Sequence, residues 1–287
     1  MTVDQDIRVV GLDLDGTLLR DDKTISEWTR HVLEQAALRG IYVLPATGRT
    51  RTGIPDFVQA IEGIQYGVCS NGATVVDLST GEEIYSSKLS YEDSLRLLDI
   101  IEGYHTMHDC YIEGEGYTEE RYIEELSAYG VEPKIQELIK NTRTSVKDLR
   151  QVIEELQCPV EKFNMFFQDL NKREKVLKEL SKLPFIKVTS SLTNNLEINA
   201  ADCNKGSALL GFAKAKGFSK EQVMCCGDGN NDYDMIRMCG IGVAMTNGVE
   251  NIKEAADYIT YTNNEDGAAK AIVRLCFRMQ DFENSLA

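Results

Sequence analysis

The sequence contains no apolar run that approaches the roughly 20 residues needed to span a membrane, and its first residues are acidic rather than apolar. The apolar core of a secretory signal is therefore missing, and we expect a cytoplasmic protein. Positive charge is also scarce: 31 Lys and Arg stand against 46 Asp and Glu, and the formal net charge is -15 at pH 7. Such an acidic surface argues against nucleic acid or an anionic membrane as a partner. A small anionic substrate remains compatible with this surface if the site carries its own cations.

The usual ligands of a zinc site are few. Three histidines are present, and the eight cysteines include no Cys-x-x-Cys pair. His105 and His108 have an i, i+3 spacing, but no matching second pair follows them, so we expect no zinc site. We expect the cysteines to be reduced and mostly buried, because nothing in the sequence indicates export.

The chain is long and apolar enough for a sizeable core. It has 287 residues, of which 43% are hydrophobic and 27% charged, and this predicts two domains. Strands alternate with helices at both ends of the chain, which predicts an α/β fold with a doubly wound parallel sheet (Rossmann-like). The middle reads as a separate α+β domain inserted into that core. The predicted bounds are 1–87 for the first part of the core, 88–189 for the insert and 190–287 for the second part.

The coarse element prediction follows from apolar periodicity and from Gly and Pro positions. The predicted core strands are the run that starts at Val9, then 41–44, 66–69, 195–198, 223–226, 240–244 and 258–259. The predicted helices lie at 26–39, 50–60, 91–102, 119–129, 170–183 and 205–216, after residue 232, near Val249 and from about 265 onward. A hairpin is predicted at 73–87, and insert strands are predicted at 160–167 and 185–188.

The first strand of this pattern ends in two aspartates. Val9 begins an apolar run typical of a buried parallel strand. Asp13 follows this run, and Asp15 comes two residues later, directly before Gly16. In open α/β sheets, ligands bind beyond the carboxyl ends of the strands. Two acids at that position are unfavourable unless they meet a cation or take part in chemistry. The alternative is a solvated Asp-rich turn that ends the strand.

Three more polar segments follow predicted strands in the same way. The segment 47–49 follows the second strand, Lys205 begins a helix after the strand at 195–198, and 227–232 follows the strand that ends at Cys226. Because a parallel sheet brings such loops to one edge, we expect four carboxylates, a lysine and a hydroxyl there. Carboxylate oxygens are ligands that Mg²⁺ prefers, and the bound ion would attract a phosphate. A lysine at a helix start adds to the positive field of the helix N-terminus.

Each segment also has a purely structural interpretation. Thr-Gly-Arg at 47–49 would be only a tight turn, and Lys205 a surface lysine behind an Asn204 N-cap. The loop 227–232 would cap a helix through Asn230. Four such segments in chain order, each after a predicted strand, favour one shared functional site.

In these segments the sequence resembles the four motifs of the haloacid dehalogenase superfamily. The segments are Asp13–Thr17, Thr47–Arg49, Lys205–Gly206 and Gly227–Asp232. The insertion after the third strand resembles the Cof-type phosphatases of that superfamily, which carry a large α/β (C2-type) cap. In the cap the resemblance is architectural only, and it does not identify the substrate.

The resemblance implies a role for each matching position. Asp13 would attack phosphorus and form an aspartyl-phosphate, and Asp15 would protonate the leaving alcohol and then activate water. Mg²⁺ would lie between the Asp13 side chain, the Asp15 backbone carbonyl and Asp228. Asp232 would orient Lys205 or a metal-bound water. The residues implied to hold the phosphoryl group are Leu14, Thr47, Gly48, Lys205 and Asn231.

Together these expectations describe a Mg²⁺-dependent phosphatase for small phosphate monoesters such as sugar phosphates. A phosphotransferase or phosphomutase with the same intermediate is the nearest alternative. A non-catalytic ligand-binding regulator is a further one, disfavoured because all the catalytic positions are present. Seven tyrosines lie between Tyr85 and Tyr129, and they indicate either a lid that contacts the leaving group or simple packing in a small domain. The partner is expected to be a small phosphorylated metabolite, and a homo-oligomer is left open.

Overall fold

A computed structural model describes residues 6–277 of the chain. Over that range the chain forms two compact units. The first consists of 6–47, 54–86 and 204–277, and the second of 48–53 and 87–203. None of the helices in the described range combines the length and apolar character that a membrane crossing needs.

The regular elements of residues 6–277 are as follows. The strands are β1 (Val9–Leu12), β2 (Tyr42–Pro45), β3 (Tyr66–Cys69), β4 (Thr74–Asp77), β5 (Glu83–Ser86), β6 (Met107–Ile112), β7 (Glu115–Glu119), β8 (Arg143–Val146), β9 (Lys162–Phe166), β10 (Ile186–Thr189), β11 (Asn195–Ala200), β12 (Val223–Gly227), β13 (Ile241–Ala244) and β14 (Tyr258–Ile259). The α-helices are α1 (Glu27–Leu38), α2 (Asp56–Gln59), α3 (Tyr91–Glu102), α4 (Glu120–Glu124), α5 (Pro133–Thr142), α6 (Leu149–Leu156), α7 (Leu170–Leu180), α8 (Lys205–Ala215), α9 (Tyr233–Met238), α10 (Glu250–Ala255) and α11 (Gly267–Cys276). The short 3-10 helices are Arg51–Gly53, Ser70–Gly72, Leu126–Tyr129, Lys220–Gln222, Asn230–Asp232 and Asn263–Glu265.

A parallel sheet forms the centre of the first unit. Its strand order is β14-β13-β12-β1-β2. β1 pairs with β12 on one side and with β2 on the other, so that Val9 lies opposite both Val223 and Tyr42. β1 and β12 are buried along their whole length, as expected for strands covered on both faces.

Helices cover both faces of this sheet. On one face α1 and α11 pack against side chains such as Val10, with Val32 in the same cluster. On the other face α8 and α9 pack against Val9, with Phe212 in that cluster. The side chain of Ser26 caps α1 by accepting from the Thr29 N–H at 2.9 Å. The predicted doubly wound core is therefore confirmed.

The third strand continues the sheet through a single bridge. Ala46 pairs in parallel with Val68 of β3, and the Thr47 N–H donates to the Val68 carbonyl at 2.8 Å. β3 then forms an antiparallel three-stranded sheet with β4 and β5, which contains the hairpin predicted from the turn at 79–81. The loop after β2 thus lies at the edge where β1 and β12 also end.

The second unit is built on a six-stranded sheet of order β10-β11-β9-β6-β7-β8. Its neighbours are antiparallel except for the β7–β8 pair. On one face, side chains such as Phe163 and Ile198 pack against α3, α6 and α7. Alternate positions, among them Asp109, Lys162 and Glu197, place buried polar groups on the other face. This is the α+β insert that the sequence predicts.

One predicted core strand belongs to the second unit instead. β11 pairs antiparallel with β9 and β10, and the second unit continues to residue 203 rather than 189. The physical reason is visible in the strand itself: Leu196 and Ile198 alternate with Glu197, a pattern typical of an antiparallel strand with one apolar face. The second unit also includes the short segment 48–53, which the predicted boundaries leave in the core.

Several other elements differ from the prediction. The helix predicted at 50–60 is broken into a 3-10 turn and α2, because Pro55 precedes α2 and disfavours helix in the residue before it. The helix predicted at 119–129 divides into α4 and a 3-10 helix. The residue that caps this 3-10 helix, Gly130, has a left-handed backbone conformation. Strands β6, β7 and β8 and helices α5 and α6 are not predicted, since polar residues interrupt the apolar periodicity there.

Candidate active site

Asp13 and Lys205, which the sequence places in separate segments, are in direct contact. Asp13 follows β1, where its N–H donates to the Cys226 carbonyl of β12 at 3.0 Å. Lys205 is the first residue of α8, and its Nζ lies 2.6 Å from Asp13 Oδ1. Asn204 caps that helix by accepting from the Ser207 N–H at 2.8 Å. The lysine therefore reaches the sheet edge from a helix start, although the strand before it is not part of the parallel sheet.

Asp232 holds the same lysine from another direction. Lys205 Nζ lies 2.7 Å from Asp232 Oδ1, and both residues are fully buried. The other oxygen, Asp232 Oδ2, accepts from the backbone N–H groups of Asp228 and Gly229 at 2.9 Å each. Both oxygens of Asp232 thus accept hydrogen bonds from the protein. This arrangement fixes the position of the Lys205 ammonium group.

Asp228 completes the cluster beside the turn that follows Asp13. Its Oδ1 accepts from Thr17 Oγ1 at 2.8 Å. Gly16 has a φ of +88°, and a Cβ at that position would lie 2.4 Å from Asp228 Oδ2. Asn247 donates to the Gly16 carbonyl at 2.8 Å. The glycine of the Asp-x-Asp-Gly-Thr segment is therefore needed for both its backbone conformation and the close approach of a carboxylate.

Burial and mutual repulsion raise the pKa values of Asp13 and Asp228. Burial raises the pKa of Asp13 well above its usual range; the charge of Asp232 adds to the rise, while Lys205 opposes it. Burial, and then the charge of Asp232, raises the pKa of Asp228 to about 6. Burial alone would lower the pKa of Lys205, but Asp13 and Asp232 reverse this effect and raise it. The cluster therefore carries more negative charge than the lysine neutralises.

The same carboxylates suit a hard divalent cation. Asp13, Asp228 and Asp232 each place one carboxylate oxygen within 4.8 Å of the other two. Oxygen donors of this type favour hard ions such as Mg²⁺ over zinc or copper. The raised pKa of Asp228 has burial and repulsion as its causes, and a cation would relieve the repulsion. The residues present therefore fit a divalent metal ion.

Asp15 lies in a more exposed position than Asp13. Its side chain is 42% exposed, and its Oδ1 lies 2.7 Å from Lys23 Nζ. Leu14, between the two aspartates, buries its side chain in the core, so only its backbone is available to a ligand. The sequence motifs do not single out Lys23; its one signal is its nearness to Asp15 in the chain.

The segment after β2 is divided between the two units. Thr47 is buried, its N–H donates to Val68, and its carbonyl accepts from the Asn71 N–H at 3.0 Å. The structure thus places Thr47 at a carboxyl strand end, as the sequence predicts. Gly48, the next predicted phosphate contact, is grouped with the second unit, and its contact with phosphate stays a prediction.

The turn Ser70–Gly72 is a site element that the motifs do not single out. All three of its residues have a positive φ, of 51°, 61° and 98° in order. Asn71 Oδ1 accepts from Asn231 Nδ2 at 3.3 Å, which brings the turn beside the predicted phosphate contact. A Cβ on Gly72 would lie 2.2 Å from the Asn204 carbonyl oxygen. An Asn-Gly pair directly after a buried strand is the sequence signal for such a turn.

Comparison with known proteins agrees with this geometry. The family model described as haloacid dehalogenase-like hydrolase matches residues 10–272. Among curated proteins, the chain is 31% identical over 269 residues to the 5-amino-6-(5-phospho-D-ribitylamino)uracil phosphatase YcsE of Bacillus subtilis, covering 94% of this chain and 96% of that one.

Solved structures show the same fold over nearly the whole chain. A haloacid dehalogenase-like hydrolase from Bacteroides thetaiotaomicron has a TM-score of 0.77 and 30% identity, covering 93% of this chain and 99% of that one. A haloacid dehalogenase-like hydrolase from B. subtilis has a TM-score of 0.81 and 25% identity, with the same coverage. Enzymes of this superfamily generally require a divalent metal ion and form an aspartyl-phosphate. The chain therefore belongs to the haloacid dehalogenase-like hydrolases, among their Cof-type phosphatases.

Proposed function

We propose that this protein hydrolyses small phosphate monoesters with Mg²⁺, using Asp13 as the nucleophile and Asp15 as the acid and base. The observation that carries the proposal is the buried contact of Lys205 with both Asp13 and Asp232, directly beside Asp228. A buried acid held next to a cation and further carboxylates suits phosphoryl transfer, which consists mainly of positioning and charge neutralisation.

The reaction proceeds in two displacements at phosphorus. A carboxylate oxygen of Asp13 attacks the phosphorus, the bond to the ester oxygen breaks, and Asp15 donates a proton to the departing alcohol. Asp15, now ionised, then takes a proton from a water molecule that attacks the phosphorus of the aspartyl-phosphate. The bond between Asp13 and phosphorus breaks, and inorganic phosphate and the free Asp13 carboxylate are regenerated. Division into two steps replaces one difficult displacement by two easier ones.

The exposure of Asp15 supports its proposed role as acid and base. Its side chain is partly open to solvent, whereas Asp13 is buried. A group that exchanges protons with an alcohol and with water benefits from such access. A nucleophile, in contrast, benefits from a fixed position.

The phosphoryl oxygens are proposed to meet donors from several strand ends. These donors are the backbone N–H groups of Leu14 and Gly48, the Thr47 hydroxyl, the Lys205 ammonium group and the Asn231 amide. Asp13, the Asp15 carbonyl and Asp228 are proposed to hold the Mg²⁺, which supplies charge neutralisation when it is bound. Asp232 is proposed to orient Lys205, since both of its oxygens already accept hydrogen bonds.

The proposed substrate is a small phosphorylated metabolite with a polyhydroxylated leaving group. The name of the B. subtilis relative YcsE specifies a phosphoribitylamino substrate, in which the phosphate is carried by a sugar-alcohol chain. We further propose a cytoplasmic location, where thiols stay reduced; the eight cysteines are free, and six of them are buried.

A turnover assay tests this proposal. Phosphate release is measured from a panel of phosphate esters with Mg²⁺, and again after removal of metal with a chelator. Asp13→Asn is expected to abolish release, because the amide cannot act as the nucleophile, while Asp56→Asn, an exposed aspartate of the same unit, is expected to behave as wild type.

The molecule that accepts the phosphoryl group, water or a second hydroxyl compound, distinguishes a phosphatase from a phosphotransferase or phosphomutase. Release of inorganic phosphate without an added alcohol favours hydrolysis, whereas products that appear only when a second hydroxyl compound is supplied favour a phosphotransferase or phosphomutase. Full activity in excess chelator, or in a well-folded Asp13→Asn protein, would contradict the mechanism.

A further inference from the structure

We propose that Lys162 is a positioning residue for phosphoryl transfer. Its ammonium group holds the carbonyl of Gly48 and thereby fixes the backbone that directly follows Thr47. The proposal rests on the proposed function, because it assigns Gly48 N–H to the phosphoryl group. No sequence motif points to Lys162, which lies 114 residues after Gly48.

Lys162 is an unusual lysine because only 1% of it is exposed. It begins β9, and its Nζ donates to the Gly48 carbonyl oxygen. The same Nζ lies 3.4 Å from Glu197 Oε1 and 4.6 Å from the centre of the Tyr111 ring. Since a buried ammonium group is unfavourable without partners, the geometry of these three contacts restrains the Gly48 carbonyl closely.

Glu197 in turn is held from its own side. Its Oε1 accepts from Ser191 Oγ at 2.8 Å and lies 3.4 Å from Asn195 Nδ2. These contacts fix the position of the carboxylate that pairs with Lys162. The lysine is therefore fixed by the sheet of the second unit before it contacts Gly48.

Further contacts tie the following residues to the same unit. Thr52 Oγ1 donates to the Gly114 carbonyl at 3.3 Å. Arg49 Nη1 donates to the Gly53 carbonyl at 3.0 Å, which closes the short segment on itself. Residues 48–53 are accordingly grouped with the second unit.

Thr47, one residue earlier, is fixed by the first unit. Its N–H and carbonyl both bond to the backbone there, to Val68 and Asn71. The chain thus passes from one unit to the other across a single peptide bond, the one that carries the Gly48 N–H. The Asn71 bond to the Thr47 carbonyl holds the peptide plane that carries the Gly48 N–H, and the Lys162 contact holds the next peptide plane. Restraint of the Gly48 carbonyl by Lys162 therefore limits rotation about the backbone bonds of Gly48 and helps to keep its N–H in one orientation. Lys162 contributes position rather than charge to the reaction.

Variants of Lys162 test this role in the full chain with Mg²⁺. Lys162→Met keeps a long apolar side chain without the ammonium group, but it leaves Glu197 buried without its cation. The double variant Lys162→Met/Glu197→Gln removes both charges together. A loss of activity in it therefore cannot come from an unpaired buried charge on Glu197. Lys175→Met, an exposed lysine of α7, is the matched control.

The expected result is a uniform loss that does not depend on the leaving group. A misplaced donor is expected to lower kcat/KM by about 10- to 100-fold for every ester in the panel, with their ranking unchanged. Competitive inhibition by inorganic phosphate is expected to weaken in parallel, since the product meets the same donor. Lys162→Arg, which retains a cation, is expected to recover part of the loss.

Trypsin supplies a readout that does not depend on turnover. Cleavage after Arg49 or Arg51 requires the segment 48–53 to leave its place, so both variants that lack the ammonium group are expected to be cut there faster than wild type and Lys175→Met. If wild type hydrolyses no ester, the proposed function fails, yet the cleavage rates still test the restraint. A folded double variant with wild-type kcat/KM and wild-type cleavage at this segment would overturn the proposal.

Discussion

At the scale of single residues, Lys205 is the group on which the charge balance of the site depends. It is fully buried and contacts both Asp13 and Asp232. Removal of one partner from a buried ion pair leaves uncompensated charge and destabilises a protein by roughly 3–5 kcal/mol. The same group is proposed to meet phosphoryl oxygens, so its loss also raises the barrier of the reaction.

We therefore predict that Lys205→Met lowers kcat/KM by about 10²–10³-fold, by analogy with a lost oxyanion donor, and lowers the free energy of unfolding of the metal-free protein. Steady-state kinetics and denaturant titration measure the two effects. Lys214→Met is the matched control, because it is an exposed lysine of the same helix. Lys216 is unsuitable, since its Nζ bonds to Tyr66 OH at 2.9 Å. Equal and small effects at positions 205 and 214 would remove Lys205 from the site.

Asp228 gives the metal-free protein a specific pH dependence. Its pKa is about 6 in the folded protein, through burial and the charge of Asp232, against 3.8 for an unperturbed carboxyl. Between these values the folded state retains a proton that the unfolded chain has lost. The free energy of unfolding therefore decreases as the pH rises through this window, by on the order of 2–3 kcal/mol.

We predict that Asp228→Asn removes this component of the pH dependence. Denaturant titrations of both metal-free proteins, at about pH 4 and above about pH 7, measure the difference between their slopes. Added Mg²⁺ is expected to stabilise wild type above pH 6, where the carboxylate is ionised, and to stabilise Asp228→Asn much less. Identical pH slopes without metal would refute the assignment.

At the scale of elements, the turn Ser70–Gly72 sets the position of the start of α8. Gly72 has a φ of +98°, and a Cβ there would lie 2.2 Å from the Asn204 oxygen and 2.9 Å from the Lys205 nitrogen. We predict that Gly72→Ala displaces the first turn of α8, lowers kcat/KM and destabilises the protein by more than the 1–2 kcal/mol of left-handed strain.

Gly217→Ala is the matched control for that prediction. Gly217 has a similar φ of +83°, but nothing lies within 4 Å of a Cβ placed there. The difference between the two variants in unfolding free energy therefore isolates the contact with α8 from the backbone strain. An equal loss in both, with unchanged kcat/KM for Gly72→Ala, would show that the turn does not position the lysine.

This element also marks how far the sequence predicts the site. Asp13, Lys205 and Asp228 are brought together as predicted, because strand ends and helix starts carry strong local signals. The Asn-Gly pair signals a turn at 70–72, but the part that this turn and Lys162 have in the site could not be predicted, since each acts through a contact with a residue more than one hundred positions away. The sequence does contain a signal for the sheet to which β11 belongs, because its polar and apolar residues alternate, as is typical of an antiparallel strand. Strand assignment from apolar content alone places it in the wrong sheet.

At the scale of the whole molecule, each unit has a hydrophobic core of its own. The clusters around the parallel sheet draw only on the first unit, and the two clusters around the six-stranded sheet draw only on residues between Leu89 and Ala200. Separate cores are the property that allows one unit to be removed without unfolding the other.

We predict that replacement of residues 87–203 by a short linker leaves a folded core that still hydrolyses a small generic ester such as 4-nitrophenyl phosphate. Its rate is expected to fall, because the segment 48–53 loses Lys162, and its ranking of larger esters is expected to disappear. The same ester panel, measured on the full chain and on the shortened one, checks both outcomes. A folded shortened protein that retains the full ranking would show that the insert does not select substrates.

The pairing of β1 with β12 has a consequence for the way the chain is made. Val9 lies opposite Val223, so the ribosome must add more than two hundred residues before the first strand meets this neighbour. Closure of so long a loop is slow, and an apolar strand exposed meanwhile invites aggregation. The six-stranded sheet, in contrast, lies in one later stretch of the chain, between residues 107 and 200. The insert therefore completes its own strand pairing during synthesis, whereas the parallel sheet is completed only after the last third of the chain has been made.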